Sequence, residues 1–273
     1  MHVQEQTVER GSVPSFGLIA GSGLDGIPGL DIVEPVKMAT PFGEPSGDYL
    51  KGRLAGKDVV LLARHGPEHR IQPQRINYRA NLWGFRELGA ERIISVSAAG
   101  GIRSGMRPGV LVVPDQIIDM TSGRKSTFYE AGEVVHVDLT EPYCPDLRSH
   151  VLAASDRCGV PVTGSGTYIC VNGPRLETAA EIRTFSLWGA DMVGMTAMPE
   201  AALARELGMC FAGIVVITNF AAGITGKKLT TVEVMETMGA SLDKLKLLLQ
   251  DLFLLTFPAP GCACRRALED ARM

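Results

Sequence analysis

Two hydrophobic patterns alternate along this chain. Short apolar runs rich in β-branched residues predict strands at residues 16–21, 58–64, 92–100, 109–118, 166–171, 191–196 and 211–218. Between them, apolar positions three and four residues apart predict helices at 74–88, 145–157, 176–188, 199–207 and 230–254. The last helix is the clearest. Val232, Met235, Met238, Leu242, Leu245, Leu249 and Leu252 form its stripe, and Thr230 is placed to cap its start. Strands alternating with helices predict an α/β fold, a single domain built on a twisted, mostly parallel mixed sheet flanked by helices. The expected organisation is a flexible N-terminus at 1–14, one domain at 15–256 and a tail at 257–273.

Ligands gather at the carboxyl ends of strands in such sheets. The strand ends here carry "GSG", "RHG", "SAAGG", "GMT" and "TN". The run "GIVVITNFAAG" (213–223) poses the sharpest question, because it leads a buried strand into an amide at Asn219. A buried amide is costly unless its donors and acceptors find partners.

Composition narrows the field. The chain has 273 residues, enough for one large domain, and a net charge of −3 from 27 basic and 30 acidic residues. Mixed charge of this kind leaves no electrostatic footprint for nucleic acid or an anionic membrane. "MHVQEQTVERGSVPS" has no apolar segment of a secretory signal, and "LDKLKLLLQDLFLLTF" is interrupted by Lys244, Lys246 and Asp251. A cytoplasmic protein is expected. Cys144, Cys158, Cys170 and Cys210 are scattered, have no zinc-type spacing and read as small core residues. Cys262 and Cys264 form a Cys-x-Cys pair in the tail, read as mobile, where either a small labile disulfide or two reduced thiols would be found.

"GSGLDG" (21–26) matches the Gly-x-Gly-x-x-Gly dinucleotide fingerprint and would suggest an oxidoreductase. That fingerprint needs a helix to begin at the turn, and Ile27-Pro28-Gly29 would break one almost at once. A turn that holds a single phosphate through its amides and Ser22 fits better. Further oxyanion-binding groups end the other strands. Arg64 and His65 stand together, Ser97 and Ala98 open an expected Gly-rich turn, and Thr196 lies near a helix start marked by Pro199. At one sheet edge these residues would make a phosphate pocket.

These residues resemble the trimeric purine nucleoside phosphorylases and methylthioadenosine phosphorylases. The resemblance runs from about Gly17 to Leu254 and rests on "GLIAGSGLD", "TPFGEPS", "LLARHG", "NYRANLW", "SAAGGI", "DQIIDMTSGR", "NGPRLETAAE", "VGMTAMPEAALARE" and "ITN", in the family's order. It implies reversible phosphorolysis, in which inorganic phosphate displaces a purine from a ribosyl carbon with no metal or organic cofactor. It further implies phosphate binding by Ser22, Arg64, His65, Ser97, Ala98 and Thr196, with Met195 against the sugar. Glu177 and Asn219 would bind the base, and with His65 they would carry the catalysis. Thr231 would border the five-prime group, and His136 would reach into a neighbouring subunit of a homo-oligomer, most simply a trimer.

An asparagine suits a 6-oxopurine, because it donates to the exocyclic oxygen and accepts from the imidazole-ring N–H formed as the base leaves. Glu177 would accept from the pyrimidine-ring N–H that adenine lacks. The methylthioadenosine branch has aspartate and serine at these two positions, so the chain departs from it where the base binds. Inosine- or guanosine-type substrates are therefore expected. Methylthioinosine and methylthioadenosine are the alternatives, since Thr231 is neither the histidine of the nucleoside branch nor the apolar residue of the thioether branch. A purine-binding protein without catalysis is a third class, which phosphate-dependent release of base would exclude.

Overall fold

The computed structural model describes residues 16–21, 29–130, 132–226, 228–257 and 261–273. In chain order the first half forms β1 (Phe16–Ala20), β2 (Leu30–Val36), β3 (Tyr49–Leu54), β4 (Lys57–Ala63), α1 (Tyr78–Glu87) and β5 (Arg92–Gly101). Short strands follow, β6 (Leu111–Val112) and β7 (Gln116–Asp119), then α2 (Pro145–Cys158), β8 (Val162–Thr163) and β9 (Thr167–Cys170). The chain ends with α3 (Ala179–Leu187), β10 (Met192–Gly194), α4 (Ala197–Glu206), β11 (Cys210–Phe220) and α5 (Thr231–Leu254).

Among the described residues the strands join in one 11-stranded sheet, and six of its ten pairings are parallel. β5 is its axis. β11 runs parallel along one edge of β5 from Arg92 to Gly101, and β6 and β8 continue the sheet beyond it. The other edge is shared: β1 pairs with Arg92–Ser95 and β10 with Gly100 and Gly101. Successive residues of β5 and β11 face opposite sides, as strand geometry requires. Ile94, Val96, Ile214 and Val216 pack under α2 and α5, whereas Ile93, Val215 and Ile217 pack under α1 and α4. Helices thus cover both faces, which is why these strands read as unbroken apolar runs.

All five expected helices form. The expected strand at 109–118 is two, because Pro114 between β6 and β7 has no N–H for a ladder. β2, β3 and β8 were not expected. β2 is mostly exposed and contains Glu34 and Pro35, so it lacks a strand's apolar alternation. β3 and β4 form a hairpin through Ala55 and Gly56, both at positive φ, and alanine is an uncommon choice there. In α5 the apolar stripe starts later than expected, since Val232 and Met235 are exposed and burial begins at Met238. The end of the tail is packed on the body, contrary to a mobile segment. Cys264 and Ala271 are buried, and Ala271 O and Val134 O accept backbone N–H bonds from His136 and Met273. Among the described residues, no helix is long and apolar enough to cross a membrane.

Candidate active site

β1 stops opposite Ser95 and β10 meets β5 at Gly100, leaving Val96–Ala99 without a strand partner on that edge among the described residues. Ser97 and Ala98 lie within β5, as the strand expected at 92–100 has them, and the Gly-rich turn they were expected to open does not begin there. A cavity of about 210 Å³ opens there, lined by Gly21, Arg64, His65, Ser97, Ala98, Glu177, Met195, Thr196, Thr218 and Asn219 among others. Strand alternation turns the N–H and C=O of Val96 and Ala98 toward the gap. Val96 O is taken by Arg64 Nη1 at 3.1 Å, and among the described residues no strand pairs with Ala98 on this edge, which turns its N–H to the cavity. Gly21 lets the backbone pass here: a Cβ on it would lie 2.8 Å from Val96 O and 3.4 Å from Arg64 Nη1. Ser22 falls outside the described residues.

Arg64 is almost wholly buried, and most of its donors are engaged within the protein, so it cannot offer a phosphate two parallel N–H bonds. Its Nε and Nη2 face Glu200, at 2.5 and 3.3 Å, and Nη2 also donates to Ser95 Oγ at 2.6 Å. Ser95 in turn donates to Glu200 at 2.7 Å. Among the described residues, one Nη1 hydrogen is left for the cavity. Burial works against the guanidinium charge, but Glu200 outweighs it and raises the pKa. Glu200 was not foreseen. Its signal was a lone carboxylate within the apolar run "AMPEAALA".

His65 donates from Nδ1 to Ile71 O at 2.8 Å, which leaves the Nε2 lone pair as an acceptor. Burial, reinforced by Arg64, lowers its pKa to about 4, so the ring is neutral at physiological pH. His69 stacks beside it with ring centroids 4.1 Å apart and also lines the cavity. Thr196 is buried at the N-cap of α4, and its N–H points at Tyr168 Oη, 3.4 Å away. Helical geometry is regular only after Pro199, so Glu200 begins the true first turn. Gly194 is obligatory, since a Cβ on it would lie 1.9 Å from Tyr168 Oη.

Asn219 reaches the cavity through a bulge. Ile217 pairs with Ala99 and Asn219 with Gly100, so Thr218 is an extra residue that re-aims the amide. Thr218 Oγ1 donates to Asn219 Oδ1 at 2.9 Å, and Asn219 Nδ2 donates to Phe220 O at 2.8 Å. One N–H and one acceptor lone pair are left over. Glu177 overhangs the cavity just before α3, where Thr178 and Glu181 form a reciprocal cap that fixes the entry of the chain. Burial pushes the Glu177 carboxyl above its ordinary pKa.

The cavity does not gather every expected residue. Thr231 is exposed and lines no part of it; Val234, one turn further along α5, does. His136 is exposed and stands outside the cavity of its own chain.

Residues 15–253 match the family model described as the Phosphorylase superfamily. The chain belongs to that superfamily. Membership agrees with setting aside the dinucleotide reading of "GSGLDG". Relatives within reach include a probable S-methyl-5′-thioinosine phosphorylase of Thermodesulfovibrio yellowstonii, 46% identical over 94% of this chain and 96% of that one. The 6-oxopurine nucleoside phosphorylase of Pyrococcus furiosus is also 46% identical, over 95% and 99%. Among solved structures, a methylthioadenosine phosphorylase from an Antarctic soil metagenomic library superposes with a TM-score of 0.89 at 34% identity, covering 96% of this chain and 93% of its own. These three relatives carry three different substrate names.

Proposed function

We propose that the chain catalyses reversible, phosphate-dependent cleavage of the N-glycosidic bond of 6-oxopurine nucleosides, giving free base and ribose 1-phosphate in purine salvage. The observation that carries this reading is the placement of the Asn219 amide and the Glu177 carboxyl in one cavity with Arg64, His65, Ser97, Ala98 and Thr196. Phosphate would sit in the β5 gap on the Arg64 Nη1 hydrogen and the Ala98 N–H, with Ser97 and Thr196 supplying hydroxyls and the neutral His65 Nε2 accepting a hydrogen bond from the hydroxyl of a monohydrogen phosphate. Its charge beneath the sugar stabilises the cation-like transition state. The spare Asn219 N–H meets the 6-oxo group, and the spare Oδ1 lone pair accepts from the imidazole-ring N–H as negative charge on the leaving base is quenched. Glu177 accepts from the pyrimidine-ring N–H. The chemistry requires no metal or organic cofactor.

A panel of inosine, guanosine, adenosine, methylthioadenosine and methylthioinosine, with and without phosphate, tests this. Phosphate-dependent release of hypoxanthine or guanine is expected; preference for methylthioadenosine overturns the base assignment.

A second reading concerns the five-prime group. Val234 presents an apolar, half-buried side chain to the cavity where a five-prime hydroxyl would want a polar partner. This favours a methylthio group, and with it methylthioinosine as the preferred 6-oxopurine substrate. A kcat/KM for methylthioinosine above that for inosine supports the reading, and the reverse order removes it.

A further inference from the structure

Two of the scattered cysteines, Cys144 and Cys210, meet the Cys-x-Cys pair of the tail in space. Cys144 caps α2, Cys210 opens β11, and Cys262 and Cys264 flank the start of the short helical turn Ala263–Arg266 in the tail. Their four Sγ atoms all lie within 4.8 Å of one another, and none is in a disulfide. Cys210 Sγ and Cys262 Sγ are 3.3 Å apart. Four sulfurs at the usual zinc–thiolate length of about 2.3 Å, arranged tetrahedrally, are separated by about 3.8 Å. The cluster therefore has the ligand number, the ligand type and nearly the spacing of a closed thiolate site. Cys144, Cys210 and Cys264 are buried, and Cys262 is partly exposed, which leaves a way in for an ion.

We propose that Cys144, Cys210, Cys262 and Cys264 bind one zinc(II) ion as a structural tetrathiolate site that fastens the C-terminal tail to the body. The surroundings suit a metal thiolate. The Leu147 N–H points at Cys144 Sγ, 3.5 Å away, and the N-terminus of the 14-residue α2 favours negative charge there. Cys210 lies eight residues from Thr218 along β11, about 26 Å at strand spacing, so the ion is remote from the cavity and takes no part in its chemistry. Its mechanical reach is longer. Beyond Cys264 the tail pairs Arg272 with Val135 and accepts the His136 N–H at Ala271 O, so the same clip braces the segment that carries His136.

The test uses the full chain, reduced, loaded with zinc and freed of excess metal by gel filtration. About one zinc per chain is expected, falling below about 0.1 in a Cys262→Ser/Cys264→Ser variant and unchanged in Cys158→Ser. Cobalt(II) in place of zinc should give thiolate-to-metal charge-transfer bands and the strong visible bands of a tetrahedral ion, a readout on the unaltered protein that needs no variant to fold. Removing zinc with a chelator should lower the melting temperature. Loaded wild-type protein that retains no metal overturns the proposal, as does a cobalt spectrum without thiolate bands. Retention of zinc by the double variant at the wild-type level overturns it too.

Discussion

Asn219 is held by its own neighbours, with Thr218 donating to its oxygen and Phe220 accepting from its nitrogen. Asn219→Asp would set a carboxylate against the Phe220 carbonyl and against the 6-oxo group of the substrate. Its kcat/KM for inosine-type substrates should fall by about 10²-fold, the worth of one or two buried polar mismatches. Adenine-type substrates should gain little until Glu177→Ser is added, when their cleavage should rise above wild type; steady-state assays of the single and double variants check both steps. His65 makes a different kind of prediction. Its folded pKa of about 4 lies below the unfolded value near 6.5, so the unfolded chain binds more protons between them. The stability it contributes is complete above about pH 6.5 and is lost as pH falls through about 4. Urea unfolding at pH 7.5 and 4.5 should show wild type losing on the order of 2–3 kcal/mol more than His65→Gln.

The bulge in β11 decides where the Asn219 amide points, and a strand without it would turn that side chain to the other face. Thr218→Val keeps the branched shape and removes the donor to Asn219 Oδ1. Stability should drop by about 1 kcal/mol, and kcat/KM for the nucleoside by about tenfold, while KM for phosphate stays near wild type. Kinetics with each substrate varied in turn separate these effects. The elements that frame the site were readable because they are buried on both faces: the apolar runs of β5 and β11 announce themselves, as does the Asn219 amide at the end of one. The bulge left no mark, since "VITNF" has the same pattern with or without it. β2 was hidden by its exposure and β3 by an Ala55-Gly56 turn. The step from Thr231 to Val234 is one helical turn, and which turn meets the cavity depends on how α5 docks, a tertiary property. Partnerships between distant residues were equally silent. Arg64 and Glu200 are 136 positions apart, and the four cysteines come from three separate segments.

At the scale of the whole molecule, the exposed position of His136 is the fact to explain. It lies outside its own chain's cavity, beside Val134, an apolar residue 54% exposed. Both features fit a surface that meets another copy, and the resemblance to trimeric phosphorylases implies the arrangement to test, in which each subunit would lend its histidine to the next. Head-to-tail contacts of this kind close into rings. The consequence can be tested by complementation. Take one chain with His136→Ala and another with Asn219→Ala, each expected to be weakly active alone. Mixed by denaturation and refolding, or by co-expression, they form hybrid rings. In every hybrid ring one junction joins an intact base site, from the His136→Ala chain, to an intact histidine, from the Asn219→Ala chain. Random assembly of equal amounts should then restore about a quarter of the wild-type sites. Were each chain to use its own His136, no junction would contain both intact residues, and the mixture would be no more active than the average of its parts. Measuring kcat per chain across mixing ratios distinguishes the two, because recovered activity peaks at an intermediate ratio when the histidine is lent and varies linearly between the parents when it is not.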